Sequence, residues 1–470
     1  MLSSESLPIS TKITSVNIEY DNTISGLDSI TVKTSIDEMS IGPLKLTTLQ
    51  RDTKTTEGMV IYNTDTKKLN YYNGTRWINI SNQEWFIFSM FPYNNTVVSD
   101  YITELNINKY EGSNIIYSPI ASRPTTLNAY HGAIYSPTQD RIYFIPNFIG
   151  VSEPLWHYMN ASSGEIITYA HNMTGISQGG YIGGVYSPTL NRIYFVPYTQ
   201  NTTLHYIDCN NGNIVSYTAP ALCTGYIGGV YHPLLNRIYF IPYNISNSAD
   251  WHYLDCSIGV VVSYTHGGVG IVANGFDGGC WDPINERLYF SPYAQSGETN
   301  WFYIDATGIL VSYAKVVTCG SGIYSGACFS PTDGGRIYFC PYEPQLDYHY
   351  IDCSTGLVGS YTHGLTPIES GGYLQGCFSP TQNRIYLSPA NQANQTLWHY
   401  IDCDTGTLVT YTAPTGQVVE GYANACYNPK LNRVVFTPFN QAAEATWVSI
   451  DCGTTIPNID LMSSTIFNKY

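Results

Sequence analysis

Short apolar and aromatic runs, five to seven residues long, alternate with clusters of Pro, Gly and Asn through most of this chain. The stretch Gly183–Tyr217 holds four in succession: Gly-Gly-Val-Tyr-Ser-Pro, Arg-Ile-Tyr-Phe-Val-Pro, Leu-His-Tyr-Ile-Asp-Cys and Asn-Ile-Val-Ser-Tyr-Thr. β-branched and aromatic residues bounded by turn formers read as strands, and the Asn-Gly before the fourth run is a hairpin signal. The unit predicts a four-stranded antiparallel meander.

The second run opens on Arg, and that Arg counts the units. Arg141, Arg192, Arg237, Arg287, Arg336, Arg384 and Arg433 lie 51, 45, 50, 49, 48 and 49 residues apart. A period of this length marks a repeat architecture. One meander cannot bury both faces, and radial packing of several solves this as a β-propeller. Seven units contain the first three runs, but the seventh is followed by Gly453-Thr-Thr-Ile-Pro-Asn458, which does not match the fourth. A matching run lies upstream, in Gly112-Ser-Asn-Ile-Ile-Tyr-Ser-Pro119. Residues near 113–118 are therefore expected to supply the outer strand of blade seven, leaving no open edge at the joint. The fold class is all-β: a seven-bladed propeller of four-stranded antiparallel blades, closed by an N-terminal strand, with a small N-terminal β region. The expected divisions are 1–84 for an anchoring or oligomerising region and 85–129 for a connector with the closing strand. The propeller takes 130–455 and a tail 456–470. Trp85–Tyr93 and Tyr101–Asn106 are read as further strands.

Antiparallel register puts the start of the second strand beside the end of the third. It sets Arg192 by Asp208, Arg237 by Asp255, Arg287 by Asp305, Arg336 by Asp352, Arg384 by Asp402 and Arg433 by Asp451, whereas Arg141 faces Asn160. These are expected to be structural pairs. Twelve cysteines do not form a disulfide framework. Cys209, Cys256, Cys353, Cys403 and Cys452 share one repeat position, and Cys280, Cys328, Cys377 and Cys426 share another. Ala, Val or Ile fills those positions elsewhere, so they read as free, buried thiols, too far apart to bridge. This suits a reducing compartment.

The formal net charge is −15, and 8 of the 20 basic residues fall in the first 84. A repeat surface so poor in Lys argues against nucleic acid and anionic membranes as partners. No apolar run of membrane-spanning length and no secretory leader is read. Just before each first strand stands an aromatic: Tyr130, Tyr181, Tyr226, Phe276, Tyr324, Tyr373 and Tyr422. Seven blades would set them in a ring, either around the channel mouth for sugar or protein contact, or between blades as packing. The loops between second and third strands are polar and differ in sequence, as a recognition surface would. His131, His232 and Asp282 are isolated departures, while His157, His205, His252, His349 and His399 share one third-strand position. Neither set forms a triad, a carboxylate pair or a metal cluster, and no cofactor is expected.

The motif Tyr-Ser-Pro-Thr-x-Asn-Arg-Ile-Tyr-Phe … Tyr-Ile-Asp-Cys-x-Thr-Gly resembles the Tyr-Val-Thr-Asn family of β-propeller repeats. That resemblance supports the fold and spans surface proteins, binding modules and lactonase-like enzymes. In the N-terminal region, Arg51 … Gly58-Met-Val-Ile-Tyr-Asn63 … Lys68-Leu-Asn-Tyr-Tyr72-Asn-Gly-Thr-Arg-Trp77 reads as a hairpin. It resembles a module of tail-fibre and surface proteins of phages and large DNA viruses. The resemblance implies a virion context, often trimeric. The expectation is a non-enzymatic virion structural or surface protein, made in host cytoplasm. Its partners would be other virion proteins and a host receptor or glycan. A lectin-like propeller and a lactonase- or glycosidase-like enzyme are the alternatives.

Overall fold

In the computed structural model the chain divides into two units, 1–109 and 110–470. The structure describes residues 114–453 except 121, 150–152, 221, 316 and 363–366, and six short strands of the first unit. The runs Trp85–Tyr93 and Tyr101–Asn106 lie outside the described residues.

In the first unit, Val60–Asn63, Lys68–Tyr72 and Trp77–Asn79 form the antiparallel hairpin-and-strand that the sequence predicts. Leu44–Leu46 adds a parallel strand beside Val60–Asn63. A separate pair joins Asn17–Ile18 to Val32–Lys33.

The second unit is a seven-bladed β-propeller of four-stranded antiparallel sheets. Blade two shows the pattern: Tyr181–Ser187, Arg192–Pro197, Thr203–Asp208 and Ile214–Thr218 pair in chain order. A residue in the left-handed region turns the chain into all seven second strands. It is Asp140, Asn191, Asn236, Glu286, Asn383 or Asn432, at φ 50–57°, and Gly335 in blade five. Asn, Asp and Gly tolerate that conformation best, which explains why Asn so often precedes the repeat Arg. Blade seven is closed as expected. Tyr422–Asn428, Arg433–Pro438 and Thr446–Asp451 are completed by Asn114–Pro119, with Ile450 opposite Ile115 and Val448 opposite Tyr117.

First strands form the inner ring, each packed on the next and blade seven on blade one. Glycine makes this approach possible. A Cβ added to Gly132 would lie 2.8 Å from the Gly183 Cα, and one added to Gly278 would lie 2.9 Å from that of Gly326. Farther out, an aromatic seam joins the blades. Trp156, Trp251, Trp301 and Trp398 are fully buried on third strands. Each meets a Phe of the following blade, as in Trp301–Phe339 at 5.4 Å and Trp398–Phe436 at 5.8 Å. Trp447 meets Phe144 at 5.3 Å and carries the seam across the ring joint. Edge-to-face packing of this kind adds to the large area that such rings bury.

All twelve cysteines are free, and eleven are buried. Burial pushes the Cys209 thiol up to about 11 and those of Cys256 and Cys426 up to about 12, so they stay protonated. Among the described residues no helix is long and apolar enough to cross a membrane.

Candidate functional site

The seven aromatics that open the first strands are fully buried. Stacking needs an open ring face, so the expected ring at the channel mouth is corrected: these residues pack between blades. Tyr130 lies 5.7 Å from Phe144 of its own blade and 6.1 Å from Trp447 of the preceding one. Tyr422 sits likewise, 5.6 Å from Phe436 and 6.1 Å from Trp398. Five of the hydroxyls are satisfied by the repeated histidine. Tyr130–His157, Tyr226–His252 and Tyr373–His399 bond through Nδ1 at 2.6 Å, and Tyr181–His205 and Tyr324–His349 do the same. His157 donates from Nε2 to the Ser122 carbonyl, so its Nδ1 accepts from Tyr130. Where the aromatic is Phe276, the third-strand partner is Phe302, and the polar pair is lost as a unit. Burial lowers His157 and His252, and takes His205 and His349 down to about 4.

The arginines and aspartates stand opposite each other in backbone register. The ladder pairs Arg192 with Asp208, Arg237 with Asp255, Arg336 with Asp352, Arg384 with Asp402 and Arg433 with Asp451. In blade four it is recorded as far as Leu288–Ile304, one step short of Arg287 and Asp305. The side chains have further engagements that register alone does not show. Arg192 lies 4.4 Å over the Tyr206 ring and donates to the Tyr194 hydroxyl at 3.2 Å. Arg141, Arg237, Arg287 and Arg336 repeat both contacts on their own tyrosines, and Arg384 stacks on Tyr400. Each Asp accepts from a backbone N–H of the turn that follows, at 2.9 Å from Asn210, Ser257, Thr307 and Ser354 and 3.0 Å from Asp404 and Gly453. Asp folds its carboxylate back on such turns readily. The guanidinium also reaches the following blade. A Cβ on Gly259 would fall 3.2 Å from Arg192 Nη1, and one on Gly164 would fall 3.1 Å from Arg433 Nη1.

The loops between second and third strands contain a device that the sequence reading missed. Gln200, Gln295, Gln392 and Gln441 are buried three residues after the strand-ending Pro. Gln295 accepts from the Val272 N–H at 3.0 Å and donates to the Gly270 and Asn300 carbonyls. Gln200 and Gln441 make the equivalent bonds. The signal was present as Pro-x-x-Gln in four repeats, hidden among loops of unequal length. These loops are clamped to the connection from the preceding blade, which fixes the rim of this face.

Inside that rim the sevenfold pattern breaks. The residue after the second-strand Pro is Asn147, Tyr198, Tyr243, Tyr293, Tyr342, Ala390 or Phe439. In all seven blades its N–H donates to the backbone just before the first strand, which holds it at the channel mouth. Tyr198, Tyr243, Tyr293, Tyr342 and Phe439 are only half-buried. Tyr243 and Tyr293 lie 5.8 Å apart, and Tyr293 and Tyr342 lie 5.7 Å apart. The channel residues beside them are unlike as well. Asp277, half-buried, accepts from the Ser325 hydroxyl at 2.8 Å, and Ser325 also faces the Leu374 carbonyl at 2.9 Å. A hydroxyl has one proton, so both contacts are satisfied when Asp277 carries a proton of its own. Burial raises that carboxyl to about 7. Gln375 lies over the inner-strand glycines Gly326 and Gly278 and donates to the Ala327 carbonyl at 3.4 Å. His131 lies edge-on to Phe439 at 5.5 Å, and burial lowers it to about 4. His232 and Asp282 end first strands away from this mouth and are structural. His232 bonds the Asp305 carbonyl of the next blade at 3.0 Å, and Asp282 accepts from the Ile284 and Asn285 N–H groups. Among the described residues, no three His, Cys, Asp or Glu side chains gather as a metal site.

The chain joins a small N-terminal β region to a seven-bladed β-propeller. Residues 31–99 match the family model described as "Phage tail like trimerisation region". No curated protein matches the chain. Among solved structures it is similar to a streptogramin B lyase, at 15% identity and a TM-score of 0.51, covering 73% of this chain and 99% of that one. It is also similar to the hydrazine synthase of Kuenenia stuttgartiensis, at 12% identity and a TM-score of 0.50, covering 70% and 97%. At such identities the likeness concerns the fold alone.

Proposed function

We propose that the protein is a non-enzymatic structural or surface component of a virion or phage tail-like particle. Its N-terminal region joins three copies, and its propeller is the head that meets a host receptor, a glycan or another particle protein. The observation that carries this reading is the match of residues 31–99 to a phage tail-like trimerisation region, joined to a closed propeller. The head's construction supports it. The arginines, histidines and cysteines that recur are absorbed in the scaffold, and a set of residues that vary from blade to blade lines one channel mouth. Likeness to a lyase supports the fold and carries no reaction to this chain.

Sedimentation equilibrium of the full chain and of residues 110–470 tests the first half. The expected result is a trimer for the full chain and a monomer for the shorter one; a monomeric full chain sinks the assembly role. Mass spectrometry of purified particles from the source tests the second half, and absence of the chain from them overturns the virion placement.

A further inference from the structure

We propose that the tyrosine arc at the channel mouth is a binding platform for a neutral polyhydroxylated ligand, the uncharged end of a glycan. This deepens the recognition role proposed above and rests on it. Three features select the ligand class.

The first is ring geometry. Tyr243, Tyr293 and Tyr342 follow one another at 5.8 and 5.7 Å between centroids, inclined at 55° and 72°. Rings this close touch each other, and no slot remains between them to cage an ammonium group. What they offer is a continuous, half-open apolar surface fringed with hydroxyls. The C–H face of a pyranose fits such a surface, and its hydroxyls fit the fringe.

The second feature is charge. The ionisable side chains acting on these tyrosines are Asp277, Glu343 and Glu420, all acidic. The repeat arginines begin the second strands, whereas the tyrosines follow their ends, so the guanidinium groups lie at the far face. Lys315 is tied to the Ser296 carbonyl and to Cys319 Sγ in a connector. Among the described residues the charged groups acting on the arc are acidic, so anionic ligands such as sialic acid, sulfate esters or phosphate meet like charge there.

The third feature is the carboxyl beside the platform. Asp277, half-buried in the channel and held in place by the buried Ser325 hydroxyl, provides a group whose bonds to sugar hydroxyls orient a ligand that the rings only hold. The arc spans blades two to five and lapses at Asn147 and Ala390, so it has one orientation on an otherwise sevenfold ring.

The test is binding of the full chain to immobilised oligosaccharides ending in glucose, galactose, mannose or N-acetylglucosamine. Sialylated and sulfated counterparts and a trimethyl-lysine peptide serve as charged probes. Binding to at least one neutral terminus is expected. Tyr293→Ala should weaken it tenfold or more, Tyr293→Phe should hold it within threefold, and Asp277→Asn should change it severalfold. Unchanged melting temperatures verify that the variants fold, and Tyr117→Ala on the outer strand should leave binding as it is. Binding to none of the neutral probes, binding to a charged probe alone, or binding indifferent to Tyr293→Ala each overturns the assignment. A trimer present in particles that binds no neutral glycan defeats this inference and leaves the fibre reading standing. A monomer that binds glycan through Tyr293 does the reverse.

Discussion

The two ends of the second strands follow different rules. At the Arg end nearly every blade repeats one arrangement: guanidinium over tyrosine, carboxylate folded onto its turn, and the joint to the next blade covered. At the Pro end, one strand length away, the blades diverge into Tyr, Asn, Ala and Phe, with a lone Asp in the channel. Repetition at the first end follows from sevenfold geometry, since every joint poses the same packing problem. Divergence at the second end shows positions released from that problem. Seven conserved-looking arginines draw the eye, yet they are committed to the scaffold.

Breaking the seam that makes the blades alike should have the largest effect. Trp398→Ala removes a fully buried ring and is expected to cost about 3–5 kcal/mol, read as a lower denaturant midpoint. The buried histidines come next. Burial lowers His157, His205, His252 and His349 in the folded state, and a histidine titrates near 6.5 when unfolded, so the unfolded chain binds more protons between those limits. Their contribution is whole above about pH 6.5 and is lost as the pH falls toward the folded values of about 4 at His205 and His349. The urea midpoint should therefore drop between pH 7 and pH 4.5, and His205→Gln should flatten the drop. Asp277 acts in the opposite sense. Its raised carboxyl favours the fold at low pH and loses that advantage as the pH rises through about 7, so Asp277→Asn should raise stability most above pH 7.

Blade four sharpens the comparison. Phe276→Tyr places a hydroxyl in a site whose third-strand partner is Phe302, and an unsatisfied buried hydroxyl should cost about 1–3 kcal/mol. Adding Phe302→His should recover part of it, a coupling that a double-mutant cycle measures directly. Equal costs with and without Phe302→His would show that the Tyr–His pair is not the unit described. Smaller still, Tyr243→Ala at the mouth should shift stability by under about 1 kcal/mol, because it lies outside the seam.

The blade count, the strand order and the closing strand near 113–118 were legible in the sequence, because each follows from a period and from what is missing at its end. Backbone register was legible too, and Asp208 does stand opposite Arg192. Side-chain engagement was not. The carboxylate is drawn to the nearest N–H groups of its own turn, and the guanidinium to a tyrosine ring on the neighbouring strand, two residues before that Asp, neither of which register reveals. The seven aromatics kept two possible places for a similar reason: a position at a strand's start can face the axis or the neighbouring blade, and a linear pattern does not separate them. The Tyr–His linkage could have been read from the joint change to Phe276 and Phe302. The arc at Tyr243, Tyr293 and Tyr342 was hidden inside the repeat phrase itself, in the residue after Pro.

The shared seventh blade also sets a timetable. Pro119 pairs with Thr446 and Asn114 with Asp451, so the outer strand of that blade leaves the ribosome more than three hundred residues before its partner. At about 5–20 residues per second that interval is on the order of tens of seconds. Throughout it, six blades' worth of chain emerges while the ring has no way to shut. The last propeller strand to be made is the one that admits the first, and completion of the head waits on synthesis of Thr446–Asp451.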